Sequence, residues 1–348
     1  MTAYVERGPK IPPGTWEFDW VSSVVAEVAA YAERPSHWNG ELYEQTGPAA
    51  GRYHRDGGLT ISRAHVLEPA RPAYTSGHSL TSDEAFAAAG ATQLMVFQAR
   101  LSLSEFGDDG EPGATALSSL EDQVLELAFA ERFTQRYAGW VAEKLTDQAL
   151  PMHSGAPAYP AYTTATEQFL RPLSATTGIA PGQLRDLVER TERTQRFAVI
   201  ADRVLDHHLG GLVPDAHRSE LRQYLSAPLR RRLRDLATDE HRRLVEPGWE
   251  LIWGSQSAEF DGNLHAVTTH YTSWSAAHPG EQPPALPNRV LAREEDDQRG
   301  EWSSGTRDLG TAELQKFLGS YTGASPHTRR RDGIHPDNVV RFRSPEVE

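Results

Sequence analysis

Four polar residues near the middle of the first half of the chain are of the types that move protons or orient a substrate: Gln98, Arg100, Glu126 and Glu131. A carboxyl group works as a general acid or base when its surroundings bring its pKa toward the working pH, and Glu126 is the best placed of the four for that role. Glu131 is a second carboxyl of the same kind. Arg100 supplies a fixed positive charge, and Gln98 supplies an amide but no base. Phe97, Leu101, His78 and Tyr162 are the residues expected to line a pocket around them. The histidines give a weaker signal. His207 and His208 are adjacent, so on a helix they point about 100° apart and do not share one ion. Gly210 and Gly211 follow, which fits a helix C-terminus, where the dipole favours histidine. His265 and His270, read as strand residues, fall on opposite faces. The phosphate-binding glycine loops and the GxSxG nucleophile elbow are absent.

These residues need elements to hold them. Residues 1–15 read as an extended arm, because Pro9, Pro12 and Pro13 forbid a helix. Helical spacing of Trp20, Val24, Val28 and Tyr31 predicts a helix over 18–34. Short strands follow within 51–67, with Gly57-Gly58 as the turn and alternation at Leu59–Ser62. Pro69 and Pro72 are expected to break the chain. Thr81 or Ser82 caps a helix reaching to Leu103, with an interruption at Gly90. A Gly/Asp-rich loop over 107–113 leads to a second helix, capped by Ser118 or Ser119 and running to about Lys144. Its apolar stripe is Leu125, Ala128, Phe129, Phe133, Tyr137 and Trp140. A Pro/Tyr/Gly-rich connection spans 151–162, and helices return from Thr166 to Leu244. Beyond Pro247, Asp261-Gly262-Asn263 reads as the turn of a β-hairpin, and a polar tail follows from His278.

In order and character, residues 50–145 resemble the core of the HExxH zinc peptidases, the zincins: a small sheet, an active-site helix, a Gly/Asp-rich loop and an acidic helix. That class places two histidines at i and i+4 on one helix face, with a glutamate beside the first as general base. The resemblance puts Phe97 where the first zinc histidine stands, Gln98 at the general base, Leu101 at the second histidine and Glu126 at the third ligand. Phenylalanine and leucine do not bind zinc, glutamine has no carboxylate, and one glutamate does not hold the ion at useful affinity. The resemblance therefore implies a peptidase scaffold without its metal chemistry. Taken without it, the same segments are two ordinary core helices, with Leu94, Phe97 and Leu101 on one face.

Composition narrows the classes. The 348 residues are 38% apolar and 24% charged, within the range of a globular chain large enough for two domains. A net charge of −13 opposes binding to nucleic acid and to anionic membranes, and no cysteine is present for disulfides or thiolate metal sites. No apolar run approaches membrane-spanning length. The arginines between Arg218 and Arg243 read as a solvated helix face paired with Asp235, Asp239 and Glu240. The expected fold is α+β and helix-dominated, with a small N-terminal sheet packed on helices, a C-terminal β-hairpin and an extended tail. The expected division is a mainly helical part over 1–246 and a hairpin with its arm over 247–348. The expected function is that of a catalytically degenerate, zincin-like, cytoplasmic bacterial protein that binds or scaffolds. No cofactor is called for. Its partners are another protein or a small molecule, or further copies of the chain joined through the C-terminal arm. A metal-independent enzyme of specialised metabolism using the same pocket is one alternative. A metal-dependent hydrolase built from scattered His, Asp and Glu is the other.

Overall fold

The computed structural model describes residues 7–45, 50–54, 56–75, 79–104, 119–152, 158–245 and 257–287. Strand β1 (Arg7–Ile11) leads into helix α1 (Trp16–Ala32), whose first turn is capped by the Thr15 hydroxyl. Strands β2 (Leu42–Gln45), β3 (Gly51–Tyr53) and β4 (Leu59–Ile61) complete a four-stranded sheet in the order β1-β2-β4-β3. β1–β2 and β3–β4 are antiparallel, and β2–β4 is parallel. The expected strands and turn around Gly57 are present. The first residues, however, are not merely an arm, because Arg7–Ile11 pairs with β2, with Pro9 inside the strand where the register shifts and Pro12 and Pro13 after it.

After one π-helical turn comes α2 (Glu68–Thr75), which contains Pro72. The break expected at Pro69 and Pro72 does not occur. Pro69 falls in the first turn of α2, where a missing N–H costs no helical hydrogen bond. Helix α3 (Ser82–Leu101) opens with a reciprocal capping box between Thr81 and Glu84 and continues through Gly90 without interruption. Every residue from Ala88 to Arg100 is buried. The small side chains at 88–91 let neighbouring elements approach from all sides, so a glycine that weakens an isolated helix is tolerated here.

Helix α4 (Leu120–Thr146) is capped by Ser119 and packs along α3. It is followed by α5 (Pro160–Thr177), α6 (Pro181–Arg190), α7 (Arg196–Leu209), α8 (Asp215–Val245) and α9 (Ser257–Ala277). Two large apolar cores result, beside a small cluster of Ala73, Ala88, Ala89, Ala142 and Leu150. One joins α1, α2, the sheet and one side of α3 to Phe133, Ala138 and Val141 of α4. The other joins Phe97 and the opposite side of α4 to α5–α9. The α3–α4 pair is the spine between them. On α4, Leu125, Ala128, Phe129 and Phe133 are buried as expected, whereas Trp140 is 48% exposed. Among the described residues no helix is long and apolar enough to cross a membrane.

The C-terminal hairpin is not formed. Asp261-Gly262-Asn263 lies inside α9, where Phe260, Leu264, Val267 and Tyr271 recur at helical spacing and are buried against α7 and α8. The amide of Asn263, read as a turn residue, instead accepts the Tyr224 hydroxyl of α8 at 2.9 Å. Beyond α9, the chain over 278–287 is mostly exposed and returns to the core at Leu286. Leu286 is buried, and the Pro284 carbonyl is 2.9 Å from Nε2 of His270. Trp249 and Trp253, the 107–113 loop and the tail beyond 287 lie outside the described residues.

Most arginines of α8 are paired, chiefly with other helices. Arg218 and Arg222 take Asp206 and Asp202 of α7, Arg230 and Arg234 take Asp122 and Glu121 of α4, and Arg231 takes Glu259 of α9. Of the acids expected as partners, Glu240 pairs with Arg243. The charge run therefore helps attach α8 to its neighbours. The same pairs occupy Asp202 and Asp206, the acids beside His207. His207 and His208 do end a helix, as their glycines implied, with Gly210 at the cap in a positive-φ conformation.

Candidate functional site

The candidate residues are distributed around the α3–α4 spine rather than around one space. Glu126 points from α4 to the end of α3 and to the start of α7, and is 3% exposed. Its Oε1 accepts the Ser104 hydroxyl at 2.8 Å and lies 2.6 Å from Nη2 of Arg196 and 3.4 Å from Nε of Arg193. Burial pushes this carboxyl up. The guanidinium groups of Arg196, Arg193 and Arg100, with the Ser104 hydroxyl, outweigh burial and hold it at about 2. Glu126 is therefore a fixed anion across the neutral range, which is the opposite of what proton transfer requires.

Arg196 is completely buried. Its Nε donates to the carbonyls of Val188 and Thr191, at 3.1 and 3.3 Å, and its guanidinium lies 5.2 Å from the centre of the Phe129 ring. Arg100 is buried as deeply and reaches Oε1 of Glu189 at 3.4 Å through Nη2. Burial pulls its pKa down, Glu126 and Glu189 oppose that, and Arg196 and Arg34 add to it. Three buried arginines thus share two carboxylates. Sequence reasoning found Arg100 and Glu126 but missed Ser104, Arg193, Arg196 and Glu189. One signal was present for Arg196, which sits four residues before Ile200 and eight before Val204, on the apolar stripe of α7. An arginine on such a stripe is buried and must be paired.

Gln98 serves a different neighbour. Its Oε1 accepts the backbone N–H of Tyr53 at 3.1 Å, which ties α3 to strand β3. Phe97 stacks on Tyr159 with ring centres 5.7 Å apart, and Tyr159 stacks on Tyr162 at 5.9 Å. Tyr162 is thus part of a buried aromatic column. Leu101 packs against both cores. His78 lies outside the described residues.

Glu131 lies one turn and a half beyond Glu126. Its oxygens accept the Gln135 amide at 2.9 Å and the Ala158 N–H at 3.2 Å. Burial pushes this carboxyl above the ordinary range, and the two hydrogen bonds only partly offset it. A raised folded pKa gives a stabilising contribution that is present below the ordinary carboxylate pKa and lost as pH rises through the raised value. Glu131→Gln removes that loss. The melting temperature of the variant relative to the parent is expected to be higher at about pH 7.5 than at about pH 4. Parallel Tm profiles would contradict it.

Among the described residues no three His, Asp or Glu side chains are placed to hold a metal ion. His265 and His270, expected on opposite faces of a strand, both lie on α9, and His265 is exposed. Comparison with protein-family models, with curated proteins and with solved structures gives no match.

Proposed function

We propose that this chain is a binding or scaffolding protein, and that the space around residues 97–131 carries no proton-transfer centre of the kind a peptidase uses. One observation carries this reading: Glu126 is locked as a buried anion by Arg196, Arg193 and Ser104. On this view the α3–α4 pair is a zincin-like helix pair that carries Phe97 and Leu101 where the zinc histidines would stand, and its third-ligand residue, Glu126, is taken up by arginines. The test is metal analysis of the purified full chain together with hydrolysis of a fluorogenic casein substrate. Substoichiometric zinc and no turnover above a denatured control are expected. Stoichiometric zinc, or turnover abolished by Glu126→Gln at retained fold, would sink the reading.

A second reading, a metal-independent enzyme, has Glu131 in its favour. Burial raises that carboxyl above its ordinary value, which is the direction a general acid needs. It predicts turnover that is lost in Glu131→Gln, whereas the binding reading predicts no such loss.

A further inference from the structure

A cleft of about 190 Å³ opens between the end of α1, the last turn of α3, the middle of α4 and the end of α6. Arg100 lines it from α3, and four further arginines surround it: Arg34, Arg132, Arg136 and Arg190. The aromatic rings of Tyr31, Phe133 and Tyr137 form another part of its wall. Arg100 is the informative residue. It is buried to 1% exposure, yet its Nε and Nη1 have no hydrogen-bond acceptor, and only Nη2 reaches Glu189. Buried donors are almost always matched, so a pair of unmatched ones in a cleft marks the place of an acceptor. The fork of a guanidinium fits an oxyanion through two parallel N–H bonds.

The wall arginines extend the argument. Arg132 and Arg190 form ion pairs with Glu167 and Glu33, carboxylates that do not line the cleft. Arg136 is exposed, lies 5.1 Å over the Tyr137 ring and forms no ion pair among the described residues. The wall arginines thus come from α4 (Arg132 and Arg136), from α6 (Arg190) and from the segment after α1 (Arg34), and Arg136 is the one of them without an ion pair among the described residues. A planar carboxylate accepts in one plane, whereas a tetrahedral phosphate accepts on several sides. Asp186 and Glu189 also line the cleft, which sets a limit on how much negative charge it takes. At one side Tyr31 and Tyr137 stack at 5.4 Å, and the exposed Trp140 ring continues the surface from Tyr137 at 5.5 Å. Arg136 and Tyr31 lie on the Tyr137 ring, so a flat group meets the outward edges of this aromatic group rather than a face between the rings.

We propose that this cleft binds a small phosphate monoester carrying a flat ring, with the phosphate on Arg100 and Arg136 and the ring on Tyr31 and Tyr137. The inference rests on the binding reading above and names its ligand class. Calorimetric titration of the full chain with phenyl phosphate, inorganic phosphate and benzoate tests it. Phenyl phosphate is expected to bind at least tenfold more tightly than inorganic phosphate or benzoate, and more weakly as salt is raised. Arg100→Gln should weaken it by at least tenfold. Arg136→Gln, at an exposed position, should weaken it severalfold with no change in Tm, which covers the case that Arg100→Gln fails to fold. The absence of saturable phenyl phosphate binding, or binding untouched by Arg136→Gln, would overturn the site. Benzoate binding as tightly as phenyl phosphate would overturn the phosphate assignment. Release of phenol during the titration, followed by NMR, would support the site and overturn the binding-only reading instead.

Discussion

Glu126→Gln is expected to destabilise the chain by about 3–5 kcal/mol, the range for removing one partner of a buried ion pair. The magnitude follows from what is left behind. Arg196 and Arg193 lose the carboxylate they approach at 2.6 and 3.4 Å, and Arg100 loses one of its two nearby negative charges. Bulk solvent does not reach the pair, since Arg196 and Glu126 are both buried to within a few per cent. Urea unfolding followed by circular dichroism measures the loss, and a change below about 1 kcal/mol would show that the cluster carries little of the stability. The pH dependence gives a second reading. The carboxyl is depressed from 4.5 to about 2, so its contribution is present above the ordinary value and lost as pH falls toward the folded one. The shift corresponds to roughly 3 kcal/mol. In Glu126→Gln the loss of stability between about pH 5 and pH 2 should shrink by a comparable amount. This slope is opposite in sign to that of Glu131, so the two variants should diverge on acidification.

Gly57→Ala is the second large effect expected. Gly57 turns the chain between β3 and β4 with φ of +84°, a conformation that costs a residue with a Cβ about 1–2 kcal/mol. A Cβ there would also meet the backbone carbonyl of His37 at 2.8 Å and the backbone N of Asn39 at 3.3 Å. Backbone does not rotate aside as a side chain does, so the turn itself must move. It would carry with it the bond from Asn39 N–H to the Gly57 carbonyl, 3.0 Å long, which holds the segment before β2 to the hairpin. A loss of roughly 2–4 kcal/mol is expected from strain and overpacking together. Gly58→Ala is the control. It has ordinary φ, and its Cβ would meet only the Asp56 and Arg7 side chains, so its loss should be clearly smaller. Equal losses in the two variants would show that the backbone clash at His37 is not what matters.

What could be read from the sequence was what depends on neighbours along the chain. The capping residues Thr81 and Ser119, the turn at Gly57 and the stripe of α4 are local signals, and the structure follows them. Local signals also misled. The Asp-Gly-Asn triplet carries a strong turn preference, and only packing on α7 and α8 decides that Phe260, Leu264, Val267 and Tyr271 form a helix face. Proline 69 was misjudged for the same reason, since its tolerance depends on where the helix begins. The candidate site was half legible. Glu126 and Arg100 stood out as polar residues among apolar ones. Their partners did not, because Arg193 and Arg196 lie far along the chain and nothing local marks an arginine as the counterion of a distant glutamate. The cleft was not legible at all, since its lining comes from four helices.

The ionic cluster at the spine has a consequence for how the helices choose their orientation. An apolar face of leucines, alanines and phenylalanines packs nearly as well after a small rotation, because greasy contacts are not directional. A carboxylate with one serine and two arginines is directional. Turning α4 by a single residue would swing Glu126 about 100° around the helix, away from Ser104 and Arg196 and into apolar surroundings. The cluster thus works as a key between these three segments. It selects one rotational setting of α4 out of several that the apolar contacts alone would leave close in energy.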